Sequence, residues 1–119
     1  MVKIKYFTEE EFTCDGVNCW EMMSAELLIK LDLARAIAET PFVITSSWRS
    51  IEANERVGGK ANSAHLRGNA VDIACGGSSD RFRIVDALLA AGFRRIGISK
   101  SFIHCDTDEL LPEAVIWTY

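Results

Sequence analysis

A chain of 119 residues, 49% hydrophobic and 25% charged, is long enough to bury one hydrophobic core and short enough to be a single domain, expected over residues 1–119. Its formal net charge of −4 argues against a nucleic-acid partner, and no run approaches the ~20 apolar residues of a membrane span. The opening stretch MVKIKYFTEEEF lacks the apolar core of an export signal, so no signal peptide is read and synthesis in the cytoplasm is expected.

In chain order, Tyr6–Trp20 reads as a loop-rich arm with a turn at Asp15-Gly16. A helix is predicted from about Ser24 to Glu39. Ser24 serves as N-cap, Glu26 lies in the first turn, and Leu27, Leu28, Leu31, Ala34, Ile37 and Ala38 form the apolar stripe. Thr40-Pro41 ends it. Phe42–Ser46 is rich in β-formers and reads as a strand. Ser50 caps a short helix, Ile51–Val57, stopped by Gly58-Gly59. Lys60–Asn69 is a polar loop, and Ala70–Ala74 a second strand. A helix follows over Asp80–Ala91, with Phe82, Ile84, Val85, Leu88 and Leu89 as its apolar positions. Arg95–Ile98 and Phe102–Asp106 make a hairpin around Ser99-Lys100, and Ala114–Tyr119 adds an edge strand. The order predicts an α+β fold: a small, mainly antiparallel sheet with helices packed on one side.

The four cysteines, Cys14, Cys19, Cys75 and Cys105, form no CxxC pair, so a structural zinc knuckle is not indicated. Free thiols are expected, with a Cys14–Cys19 bridge left open. Cys75 and Cys105 read as small buried hydrophobes.

The unusual residue is Asp72, an acid between Val71 and Ile73 in a strand that otherwise reads as buried. Such a carboxylate is costly unless a charge or a metal compensates it. Arg49, Arg56 and Arg67 are available partners. A cation is the other solution, because Gly68 lets the chain fold back and bring His65 toward Asp72. In FIHCDTD, His104 and Asp106 are two apart on a strand and project to the same side. If the two strands are neighbours, two imidazoles and a carboxylate converge. That is a three-ligand zinc set with a fourth position open.

Four segments resemble, in order, the zinc D-alanyl-D-alanine carboxypeptidase family, which includes the L-alanyl-D-glutamate endopeptidases of phage lysins. They are ITSSWRS (44–50), VGG (57–59), NSAHLRGNAVDI (62–73) and FIHCD (102–106). The likeness runs from about Phe7 to Trp117 and implies a hedgehog/D-Ala-D-Ala peptidase-like fold. It implies that His65, Asp72 and His104 hold Zn2+, that Arg49 binds the substrate carbonyl or developing oxyanion, and that Ser63 contacts substrate or orients its loop. Many members carry an acidic base three residues before the last ligand, where this chain has Ser101. Asp106 is therefore assigned as the catalytic base, its other reading being an acceptor that orients a ligand histidine; Asp108 is a weaker candidate for either role.

The implied activity is that of a zinc peptidase, carboxypeptidase or endopeptidase, acting as a monomer on the peptidoglycan stem peptide. Without an export signal, release to the cell wall as a phage lysin or virion-associated component is expected. The alternative is a non-catalytic zinc module that binds cell wall or a protein. A third reading is a metal-free domain with Asp72 paired to an arginine.

Overall fold

The computed structural model describes residues 2–119. Asp15 and Gly16, both at positive φ, turn the N-terminal arm into a small hairpin of β1 (Thr13–Cys14) and β2 (Val17–Asn18). Helix α1 (Ala25–Ala38) starts where the Ser24 hydroxyl accepts the Leu27 N–H, and buries Leu27, Leu28, Leu31, Ala34 and Ala38. Ile37, expected in that stripe, is exposed. Then follow β3 (Ile44–Ser46), a short helix α2 (Ile51–Arg56), β4 (Ala70–Ala74), α3 (Ser78–Ala90), β5 (Arg95–Ile98), β6 (Phe102–Asp106) and β7 (Val115–Thr118). Helix α3 begins two residues before the predicted start. Its inward face is Ile84, Ala87 and Leu88, so Phe82 and Leu89 fall outside it and are exposed. The segment read as a plain loop, 60–69, contains a single 3-10 turn, Ala64–Arg67.

Five strands pair in the order β3-β4-β6-β5-β7. All neighbours are antiparallel except β5 and β7, which run parallel. The expected α+β fold is therefore present, with a mainly antiparallel sheet. Side chains alternate between its faces. Val71, Ile73, Ile96, Ile103 and Cys105 join α1 and α3 in the hydrophobic core. The other face carries the polar residues of the same strands: Asp72, His104, Asp106 and Arg95. All four cysteines are free, and no Cys14–Cys19 bridge is present.

Gly68 closes the turn that precedes β4. Its φ of +72° lies in the left-handed region, and a Cβ there would come within 1.9 Å of the Met22 carbonyl oxygen. That oxygen belongs to a backbone anchored nearby, since the Ser24 N–H donates to the Gly68 carbonyl at 2.9 Å. Gly68→Ala should therefore lose about 2 kcal/mol or more of stability, from the left-handed penalty plus the forced backbone shift. Urea unfolding measures this; an unchanged midpoint would contradict the geometry.

Candidate metal centre

One row of partners crosses the whole sheet. Ser46 pairs with Asp72, Asp72 with His104, His104 with Gly97, and Gly97 with Trp117. Strand order alone thus brings Asp72 and His104 side by side. His65 arrives from the 3-10 turn, where the Ser63 hydroxyl accepts the His65 N–H at 3.2 Å. Ser63 therefore orients the loop that carries His65.

Each imidazole has its far nitrogen committed. His65 Nδ1–H donates to the Ser47 carbonyl at 2.7 Å, and that oxygen can only accept. His104 Nε2–H donates to Asp106 Oδ2 at 2.7 Å. Neutral rings held this way turn lone pairs inward at His65 Nε2 and His104 Nδ1. Both face Asp72 Oδ1, at 3.2 Å and 3.0 Å, and that atom is itself an acceptor. Three electron pairs meeting in a buried space repel unless a cation or protons lie between them. The three ligand atoms lie within 4.8 Å of one another. Tetrahedral zinc at its usual bond lengths sets ligand atoms roughly 3.4 Å apart, so the donor set and its spacing fit zinc with one position left open.

In the absence of a cation, protons on the inward nitrogens take its place: burial alone would raise the Asp72 carboxyl, but hydrogen bonds from His104 and then His65, with the charges of both rings, hold it well below the carboxylate range. Burial alone would lower His104, but Asp106 and then Asp72 raise it above its ordinary 6.5. Of the three arginines considered as partners for Asp72, Arg49 is the one that reaches it, Nη2 lying 3.5 Å from Oδ2. Arg67 instead pairs with Asp108 at 2.6 Å and Arg56 with Asp15 at 2.5 Å.

Asp106 does not occupy the place expected of a base. It lies on the side of His104 away from Asp72, because the ring turns Nδ1 inward and Nε2 outward. Its second oxygen takes the Arg95 Nε–H at 2.8 Å and the Asp108 N–H at 3.2 Å, and the residue is fully buried. That is the geometry of a carboxylate that fixes a ligand ring. Asp108 is likewise committed, to Arg67, Asn69 and the Leu110 N–H.

Arg95 and Gly97 escaped the sequence reading, whereas Trp117 was expected to pack under the site or stack on substrate. Arg95 stands opposite Asp106 in the hairpin, a cross-strand charge pair that the predicted register could have shown. Gly97 leaves room for Trp117: a Cβ there would lie 2.7 Å from the indole. The indole consequently lies against the sheet, 5.3 Å from the His104 ring, with the Arg95 guanidinium 4.9 Å from its own centroid. The Trp48 Nε1–H donates to the Leu66 carbonyl at 3.1 Å.

Residues 5–106 match the family model described as Peptidase M15. The chain belongs to the peptidase M15 family. The zinc D-Ala-D-Ala carboxypeptidases are of this family, and the match includes His65, Asp72, His104 and Arg49 while ending before β7. No curated protein matches the chain.

For an M15 domain with this centre, protons and metal compete for the same lone pairs. His104, raised in the metal-free fold, contributes stability below about pH 6.5, and that contribution is lost as pH rises through its folded value. Asp72, lowered, contributes above the ordinary carboxylate value, and its contribution is lost in acid. The pair therefore stabilises the metal-free protein most between about pH 4 and 6.5. Zinc should reverse the preference, binding more tightly at pH 8 than at pH 6 with proton release, as calorimetry in buffers of different ionisation heat would show. Asp106→Asn should weaken zinc about 10- to 100-fold while leaving the fold intact.

Proposed function

We propose that the chain is a zinc-dependent peptidase that hydrolyses a peptide bond in the stem peptide of peptidoglycan. The observation that carries this reading is the convergence of His65 Nε2, His104 Nδ1 and Asp72 Oδ1 beside a cationic Arg49. A purely structural metal site has no use for an open position or for a positive group next to it. Zinc at such a site supplies a Lewis acid and makes water nucleophilic near neutral pH.

The chain's own residues orient the ligands and the substrate oxygen. Ser47 and Asp106 fix the tautomers of the two rings, so both inward nitrogens are ready as ligands without rearrangement. Arg49 uses three N–H groups on Ser46, Asn54 and Asp72. A guanidinium has five, so two remain on its terminal nitrogens for an oxygen of the substrate. Placed there, Arg49 polarises the scissile carbonyl and stabilises charge as it develops. Ser63 acts through the His65 turn. In this reading the protein works as a monomer at the cell wall, as a phage lysin or virion-associated component would. No helix among the described residues is long and apolar enough to cross a membrane.

A second reading has support in two particular residues. Ser101 stands where many relatives carry an acid, and Asp106 is engaged by His104 and Arg95. A zinc module that binds wall peptide without cutting it would look the same.

Incubation of the zinc-loaded protein with purified peptidoglycan separates the two. A peptidase releases new amines, and mass spectrometry of the muropeptides names the bond. Zinc at one per chain with no amine release would favour the binding module. His65→Ala should lose zinc and hydrolysis together. Arg49→Ala should keep zinc and lose roughly 100-fold or more in rate, the scale of a removed oxyanion donor.

A further inference from the structure

Asn54 is almost wholly buried, at 3% exposure, yet contributes nothing to the ligand set. It sits on α2, and its side chain is gripped from two directions. Its Nδ2 donates to the Lys60 carbonyl at 2.9 Å, and its Oδ1 accepts Arg49 Nη1–H at 3.2 Å. The first contact fixes the second: a flipped amide would set N–H against N–H at Arg49 and oxygen against oxygen at Lys60.

The turn after α2 completes the grip. The Gly59 N–H donates to the Asn54 carbonyl at 2.9 Å. A Cβ on Gly59 would lie 2.0 Å from Asn54 Oδ1 and 2.7 Å from Cγ. The space that any other residue would fill at position 59 is occupied by the Asn54 amide. The VGG segment, which the metal chemistry leaves unexplained, thus has a physical reason to end in glycine, because it closes on Asn54.

The partner is also neutral. Asp72 already offsets part of the Arg49 charge; a carboxylate at position 54 would offset more of it and set an oxygen against the Lys60 carbonyl, whereas an amide bonds both neighbours and adds no negative charge. Together with the Ser46 hydroxyl at 3.1 Å and Asp72 at 3.5 Å, Asn54 holds the fork on three sides.

We propose that Asn54, locked by Gly59, is a positioning residue that aims the two free N–H groups of Arg49 at the substrate oxygen. This rests on the reading of Arg49 as the substrate-facing cation. It adds that the aim is set by a shell reaching to the glycine turn.

A double-mutant cycle tests it, with Asn54→Ala, Gly59→Ala and the pair together. Three quantities are read: zinc per chain, kcat and KM on peptidoglycan, and hydrogen exchange of the Arg49 Nε–H signal in nitrogen-15 NMR, assigned by its loss in Arg49→Lys. Asn54→Ala should keep zinc at one per chain, lower kcat roughly 10- to 100-fold with little change in KM, and speed Arg49 exchange. Gly59→Ala should do the same by displacing the amide. The double variant should be no worse than Asn54→Ala alone, because truncation makes room for the new methyl. Asn54→Asp, which sets an oxygen against the Lys60 carbonyl and a negative charge beside Arg49, should lose rate.

Wild-type kcat and Arg49 exchange in Asn54→Ala would overturn the proposal, and so would losses that multiply in the double variant. If Asn54→Ala sheds zinc or unfolds, Asn54→Asp decides: an undiminished rate there overturns the argument from neutrality. The NMR arm separates this proposal from the peptidase reading. Absence of hydrolysis by the wild type would end that reading, while the exchange data would still report on the grip around Arg49.

Discussion

One carboxylate oxygen, Oδ1 of Asp72, faces two imidazole nitrogens whose protons are pinned on the opposite sides of their rings. Everything else about the centre answers that constraint. The acid can sit in a strand that packs the core because the strand has two faces, and Val71 and Ile73 point to the other one. His104 is beside it because β6, far away in sequence, lies between β4 and β5. His65 comes from outside the sheet, on a turn that only a left-handed Gly68 can close. Without a cation or protons, the three acceptors would repel one another. With a cation, the burial that makes Asp72 costly strengthens the attraction that holds it.

The surrounding charges are balanced in a way that bears on function. Asp72 and Asp106 are each met by one guanidinium, Arg49 and Arg95. Two carboxylates and two guanidiniums cancel, and the imidazoles act as neutral ligands. A divalent ion placed there keeps its positive charge within the site. A four-cysteine site would over-neutralise the same ion. The donor set and its neighbours would thus leave a bound divalent ion with net positive charge.

Much of this was legible from the residues. An acid inside an apolar strand, a histidine before a glycine, and histidine and aspartate two apart on a strand are local signals, and the structure brings the three proposed ligands together. Strands 70–74, 95–98 and 102–106 were also readable, because β-branched runs bounded by turn residues leave little choice. The outer faces of α1 and α3 were not. Ile37, Phe82 and Leu89 satisfy a helical period, but which apolar stripe turns inward is decided by what the helix packs against, the two helices on each other and α3 also on β6. The Ser47 carbonyl was invisible in principle, since any residue supplies one. The parallel pairing of β7 with β5, and hence Trp117 over Gly97, depends on a contact that no local pattern announces.

Asp106 shows where sequence spacing stops short of chemistry. Residues two apart on a strand share a face, so His104 and Asp106 had to be close; whether the acid faces the metal position or the back of the ring was undetermined. The answer lies in which ring nitrogen turns inward. With Nδ1 toward Asp72, Nε2 points along the strand direction of Asp106 and its hydrogen bond becomes the anchor of the ligand. Arg95 and the Asp108 N–H then satisfy the other oxygen. The acid still bears on the site in this arrangement. Its effect passes through an imidazole, as that of Asn54 passes through a guanidinium, and both are neighbours that decide where a working group points.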